Sequence, residues 1–187
     1  MATTKARVNA DNVTADIAGI TAGTGITGGG TSGTVTIAID TATTADLTTT
    51  QALSNKTFIT PEERTTVSTS VPTATTNFDA STQGVLYLTG STTSDWTLNV
   101  RGSGSATLNS ILATGDSMSI IFIVTNSGTA YKHSALTIDG NAQTVNWSGG
   151  TAPAAGNASS KDAYSFTIFK TASATFTVFG AGPVKYA

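Results

Sequence analysis

The sequence predicts an all-β protein in two unlike parts, an extended fibrous N-terminal shaft followed by a C-terminal antiparallel β-sandwich of jelly-roll type. Three observations carry this reading. The first is composition: of 187 residues, 39 are Thr and 19 are Ser, while only 11% are charged, against roughly 25% in ordinary soluble domains. Branched Cβ atoms favour extended, pleated backbone. The second is period two, with apolar and polar residues alternating in short stretches along much of the chain. The third is the placing of the aromatics. Of 13 Phe, Trp and Tyr residues only Phe58 precedes residue 77, and the other 12 lie between Phe78 and Tyr186. Each buries roughly 150–250 Å², so the material for a core begins only near residue 76.

Residues 1–40 and 41–75 accordingly read as shaft segments, and 76–187 as the globular domain. Within the shaft, Gly23-Thr24-Gly25-Ile26-Thr27-Gly28 reads as a tight glycine turn between strands. Its letters match the dinucleotide-binding pattern. That reading fails because no buried strand precedes it and Gly29-Gly30-Thr31 opens no helix. Thr34-Val35-Thr36-Ile37-Ala38-Ile39 puts Val35, Ile37 and Ile39 on one face. A lone thin strand leaves both that row and its backbone edges uncovered. Identical chains wound around a common axis would cover both, and threefold symmetry is the usual solution, so a homotrimer is expected. Thr60-Pro61-Glu62-Glu63 has the capping-box pattern of a brief helix.

In the C-terminal part, strands are predicted at 84–89, 95–101, 117–125, 134–139, 143–147, 162–170 and 173–179. The central one contains the apolar run Ile120-Ile121-Phe122-Ile123-Val124. The last two form a hairpin around Thr171-Ala172, and Tyr164, Phe166 and Ile168 share one face. Leu108, Ile111 and Leu112 recur at helical spacing, which marks 105–113 as a short helix or turn. Seven strands at this spacing, with Gly, Asn and Ser between, indicate a sandwich or jelly roll.

Several function classes are excluded by composition. A net charge of −2 supplies no basic patch for nucleic acid. The chain has no Cys and one His, His133, which removes disulfides, thiolate metal sites and cysteine nucleophiles. No apolar run approaches the ~20 residues of a membrane helix, and no apolar stretch follows Lys5 and Arg7 as a secretory signal requires. Asp40, Asp95, Asp116, Asp139 and Asp162 sit singly at turns, so no carboxylate pair for glycoside hydrolysis is visible. No Ser lies in a nucleophile elbow. The expectation is a protein without catalytic residues, cofactor or metal. The sequons at Asn12, Asn55, Asn146 and Asn157 read as accidents of Thr and Ser abundance.

Trp96, at the head of a strand, reads as core. Trp147 precedes the Gly/Ala/Ser-rich stretch 148–160, where it staples that loop to the sheet or stacks on a sugar ring. His133 reads as a surface loop residue. Tyr131, His133 and Trp147 are therefore the candidate receptor contacts.

Three stretches resemble tail-fibre and related virion proteins of tailed phages, cyanophages especially. Residues 20–33 (ITAGTGITGGGTSG) resemble the glycine/threonine module of phage fibre shafts. Leu47–Phe58 (LTTTQALSNKTF) is similar to their TLTNKT element, with Ala52 and Ser54 as departures. From Val67 to Phe179 the chain resembles a distal domain of such fibres, through Asn77-Phe78-Asp79, Leu98-Asn99-Val100-Arg101-Gly102, Thr107-Leu108-Asn109-Ser110, Thr137-Ile138-Asp139-Gly140, Trp147, Gly150-Thr151-Ala152-Pro153 and Phe166-Thr167-Ile168. The resemblance implies a non-enzymatic, trimeric virion fibre assembled in the host cytoplasm. Residues 1–40 would attach it to other tail, baseplate or capsid proteins. The distal domain would touch host surface glycan through many weak contacts. The alternatives are an adaptor or head-decoration fibre that binds virion proteins only and, further off, a glycan depolymerase.

Overall fold

The computed structural model describes residues 19–31, 34–41, 44, 45, 55, 57 and 59–187. The chain divides into two units, Met1–Ile59 and Thr60–Ala187. Most of the described chain is β-structure in several sheets, as composition and periodicity predict.

In the first unit, β1 (Ile20–Thr21), β2 (Ile26–Gly30) and β3 (Ile37–Ile39) make one antiparallel sheet in that order. The glycine stretch is half turn and half strand. The Ile26 amide donates to the Gly23 carbonyl at 3.3 Å, and strand β2 then runs on through Gly28, Gly29 and Gly30. Gly28 and Gly29 have φ of 103° and 128°. A Cβ on Gly28 would collide with the Thr36 carbonyl, and one on Gly29 would stand 2.5 Å from the Ile20 carbonyl. Both flanking strands approach closely because no side chain intervenes. The attachment segment up to residue 18, and the 47–58 element apart from Asn55 and Thr57, lie outside the described residues.

The second unit begins at Thr60, so part of the expected linker belongs to it. Its strands are β4 (Thr65–Ser68), β5 (Thr75–Asp79), β6 (Val85–Ser91), β7 (Trp96–Arg101), β8 (Ser117–Thr125), β9 (His133–Ile138), β10 (Asn141–Gln143), β11 (Val145–Trp147), β12 (Lys161–Ala172) and β13 (Thr175–Tyr186). One sheet runs β10-β9-β7-β5 and the other β11-β13-β12-β8-β6-β4. The only helix among the described residues, α1 (Leu108–Ile111), is shorter than the predicted 105–113. Thr107 caps it by accepting from the Ser110 amide at 3.1 Å. The capping-box pattern at Thr60–Glu63 produces no helix; β4 follows within two residues and takes the chain into the sheet.

The predicted antiparallel sandwich is in fact mixed. β4–β6, β6–β8, β5–β7, β7–β9 and β11–β13 are parallel pairs, while β8–β12, β12–β13 and β9–β10 are antiparallel. Parallel neighbours need a long crossover. In the first four pairs the crossover contains a strand of the opposite sheet, because the chain from β4 to β9 alternates between the sheets, whereas the β11–β13 crossover contains β12 of the same sheet. Two further corrections concern ends. The predicted strand 143–147 is two strands in different sheets, divided at Thr144. The last hairpin turns at Ser173-Ala174, where Ala174 has a φ of 52°.

Alternation dictates the core. Phe78, Trp96, Leu98, Val100, Leu136 and Ile138 point inward from the four-stranded sheet. Leu86, Leu88, Ile120, Phe122, Val124, Tyr164, Phe166, Ile168 and Val178 meet them from the six-stranded sheet, and Leu108 closes one side from α1. All are at most 6% exposed.

Candidate functional site

Trp96 sits in the core as predicted, with the rings of Phe122, His133 and Tyr164 edge-on to it at 4.7, 5.1 and 5.2 Å. The surface-loop reading of His133 is wrong. It opens β9 opposite Trp96 and is 5% exposed. The cause is a bulge: the register slips between Trp96 and Thr97, and Ser134 Oγ donates to the Trp96 carbonyl at 2.9 Å. That extra residue turns His133 inward, a shift the polar surroundings of Tyr131 and Lys132 conceal. Burial pushes the imidazole pKa down to about 4, against a smaller upward effect of a hydrogen bond to the Ala135 backbone. His133 Nε2 and Trp96 Nε1 are buried without a hydrogen-bond partner.

Trp147, half-buried on β11, packs edge-on to His133 at 5.5 Å and Phe166 at 5.8 Å. Outside this aromatic wall lies a cleft of about 200 Å³, lined by Lys132, Gln143, Trp147 and Pro153 among others. Lys132 Nζ donates to the Pro153 carbonyl at 3.3 Å and ties the loop after Trp147 to the start of β9. Trp147 thus packs on the core and forms one wall of an open cleft, while the tie to the loop is made by Lys132. The structure joins His133 to Trp147 but leaves Tyr131 outside that lining; the Tyr131 carbonyl instead faces Gly156.

A second feature escaped sequence reasoning. On the outer face of the four-stranded sheet, Asn77, Asn99 and Thr137 are cross-strand neighbours on β5, β7 and β9. Asn99 Nδ2 donates to Asn77 Oδ1 at 2.8 Å. Asn99 Oδ1 accepts from Thr137 Oγ1 at 2.8 Å and from the Gly140 amide at 2.9 Å. One step along, Arg101 Nε is 2.6 Å from Asp79 Oδ1. The Asp139 carboxylate accepts from the Leu108 and Asn109 amides at 2.6 and 3.0 Å and anchors α1. Of these, Asn99, Arg101, Asp139 and Gly140 border a groove of about 420 Å³ together with the loop 103–107. It offers hydroxyls, an amide and a guanidinium, groups suited to a hydroxylated ligand. The signal was in plain sight: Asn77-Phe78-Asp79, Asn99-Val100-Arg101 and Thr137-Ile138-Asp139 are three polar–apolar–polar triplets, and they align in register.

Among the described residues no three His, Asp or Glu side chains are grouped to hold a metal ion. No described helix is long and apolar enough to cross a membrane. Comparison with protein-family models, curated proteins and solved structures found no match.

Proposed function

We propose that this chain is a structural component of a tailed-phage virion, of cyanophage type, acting as a homotrimeric fibre whose C-terminal β domain adheres to the host surface. The observation that carries the reading is the bare apolar face of the N-terminal sheet. Ile26 and Ile39 are cross-strand partners, Ile37 lies on the same face opposite Gly28, and the three are 41%, 61% and 47% exposed. Covering such a row with the same row of sister chains needs no other partner. The Thr/Ser-rich composition and the resemblance to shaft and distal fibre modules support the same reading. Adhesion would use the polar groove beside Asn99 and Arg101 and the Trp147 cleft. Each contact is weak, and three copies per fibre raise the effective concentration at the surface.

The test is competition. Purified full-length protein, preincubated with host cells, should lower phage adsorption in proportion to its occupancy, and antibody against it should label the particle. Labelling without competition would replace adhesion with the adaptor role. No labelling would remove the virion assignment altogether.

A further inference from the structure

The outer face of the six-stranded sheet carries a band of large apolar side chains among uncharged Ser, Thr and Asn residues, where an ordinary solvent-facing sheet is mostly polar. Register places Val67, Tyr87, Ile123, Ala163 and Val184 side by side, one from each of β4, β6, β8, β12 and β13. In the next row Val85 and Ile121 are neighbours, and further along Phe169 and Phe179 meet edge-to-face at 5.8 Å. Val67 is 63%, Val184 52% and Phe179 51% exposed. The β8 run Ile120–Val124 sends Ile120, Phe122 and Val124 into the core and Ile121 and Ile123 outward. A continuous apolar run of this kind is the mark of a strand covered on both faces, yet the second unit covers only one.

We propose that this face is the contact between copies of the C-terminal unit, so that the occupant is a second copy of this chain. Two arguments select it. The first is charge. The rows from Val67–Val184 to Phe169 contain no Asp, Glu, Lys or Arg. Identical faces therefore meet without like-charge repulsion, and neither a charged protein nor an anionic lipid surface finds anything to pair with. The second is area. Six strands roughly 4.8 Å apart, with about six residues each at roughly 3.3 Å, present on the order of 600 Å². That matches one partner's share of a specific interface, roughly 600–1,000 Å². The proposal rests on the homo-oligomeric part of the reading above and not on what the assembly adheres to.

The test uses the full chain and its mass in solution at micromolar concentration, by analytical ultracentrifugation. Ile121→Lys and Phe179→Lys should dissociate the oligomer while far-UV circular dichroism stays unchanged. Thr75→Lys, exposed on the opposite sheet, should keep the wild-type mass. A wild type that is monomeric overturns both this proposal and the homotrimer. A wild type that is oligomeric, with both Lys variants unchanged in mass, overturns this proposal alone and moves assembly to another surface. Should the Lys variants misfold, the absence of native Cys permits a second measurement. Phe179→Cys should react with a thiol reagent many times more slowly than Thr75→Cys in the oligomer. Equal rates would overturn the proposed contact.

Discussion

Acidification should destabilise this protein earlier than its carboxylates alone would, and His133 is the reason. Its imidazole has a pKa of about 4 in the folded chain against 6.5 for an ordinary solvated imidazole. The folded state therefore binds fewer protons than the unfolded state between these values. Stability is fully present above pH 6.5 and is lost progressively as pH falls toward 4. At about 1.4 kcal/mol per pH unit, the loss is roughly 2 kcal/mol by pH 5 and roughly 3 kcal/mol by pH 4. The upper part of this window is the informative one, since carboxyl groups in general titrate near 4. The rings that face His133 belong to Trp96, Trp147, Tyr164 and Phe166. Of these only Tyr164 titrates, and burial pushes its hydroxyl upward, away from the window. Urea unfolding at pH 7 and pH 5 measures the loss. In parallel, the chain's one histidine makes the imidazole resonance unambiguous in an NMR titration. His133→Phe, which keeps a ring in the cluster and has no proton to gain, should flatten the dependence between pH 7 and 5. A native imidazole midpoint near 6.5, or an equal slope in His133→Phe, would refute the reasoning.

Three further outcomes follow from single contacts. Gly156→Ala puts a Cβ against the Tyr131 carbonyl and 2.8 Å from Asp162 Oδ2, and should cost roughly 1–3 kcal/mol in thermal unfolding. Gly128→Ala, with open space around the new Cβ, should cost far less. Lys170 is buried, and its Nζ donates to the Asn109 and Leu112 carbonyls at 2.6 and 2.8 Å. Lys170→Met keeps the stem but strands both acceptors, and urea unfolding should register a loss of roughly 2–4 kcal/mol. Asp139→Ala removes the two bonds to the start of α1 and should cost about 1–2 kcal/mol. Asp139→Asn keeps an acceptor and tolerates the φ of 51°, so its midpoint should lie between those of wild type and Asp139→Ala.

What the sequence disclosed followed from local periodicity, and what it hid depended on partners distant in the chain. The strand at 117–125 has the predicted bounds because its apolar run and flanking turns are local signals. Tyr164, Phe166 and Ile168 face the core for the same reason. Parallel pairing was invisible because it arises from which sheet each successive strand joins. β4 and β5 were missed because Thr65–Ser68 and Thr75–Asp79 contain one large apolar residue each, Val67 and Phe78. Both are short edge strands fixed by a parallel neighbour more than propensity. His133 was misplaced by a single bulge residue, since a one-residue slip exchanges the faces of a strand. Of the candidate site, Trp147 was legible as a large aromatic at the base of a glycine loop. The Asn77–Asn99–Thr137 ladder was legible only as a repeat of triplets, and its meaning required the register.

The two outer faces of the sandwich solve the same problem in opposite ways. On the four-stranded sheet the outward polar groups of Asn77, Asp79, Asn99, Arg101 and Thr137 find partners one strand away. Asn99 uses both ends of its amide, and Arg101 and Asp79 engage one another. Such a face can stay wet indefinitely, because water competes for its hydrogen bonds without exposing apolar area. On the six-stranded sheet the row from Val67 to Val184 meets across the strands through apolar side chains, and Ser119 with Thr167, two rows along, makes a cross-strand hydrogen bond at 3.1 Å. Leaving the apolar row in water forfeits roughly 25 cal/mol for every Å². The free energy of covering it is thus available only to an assembly, whereas the polar face gains nothing from being covered except by a ligand that replaces its hydrogen bonds in kind. An assembly built through the six-stranded face leaves the Asn99–Arg101 groove turned outward on every copy, the arrangement multivalent adhesion requires.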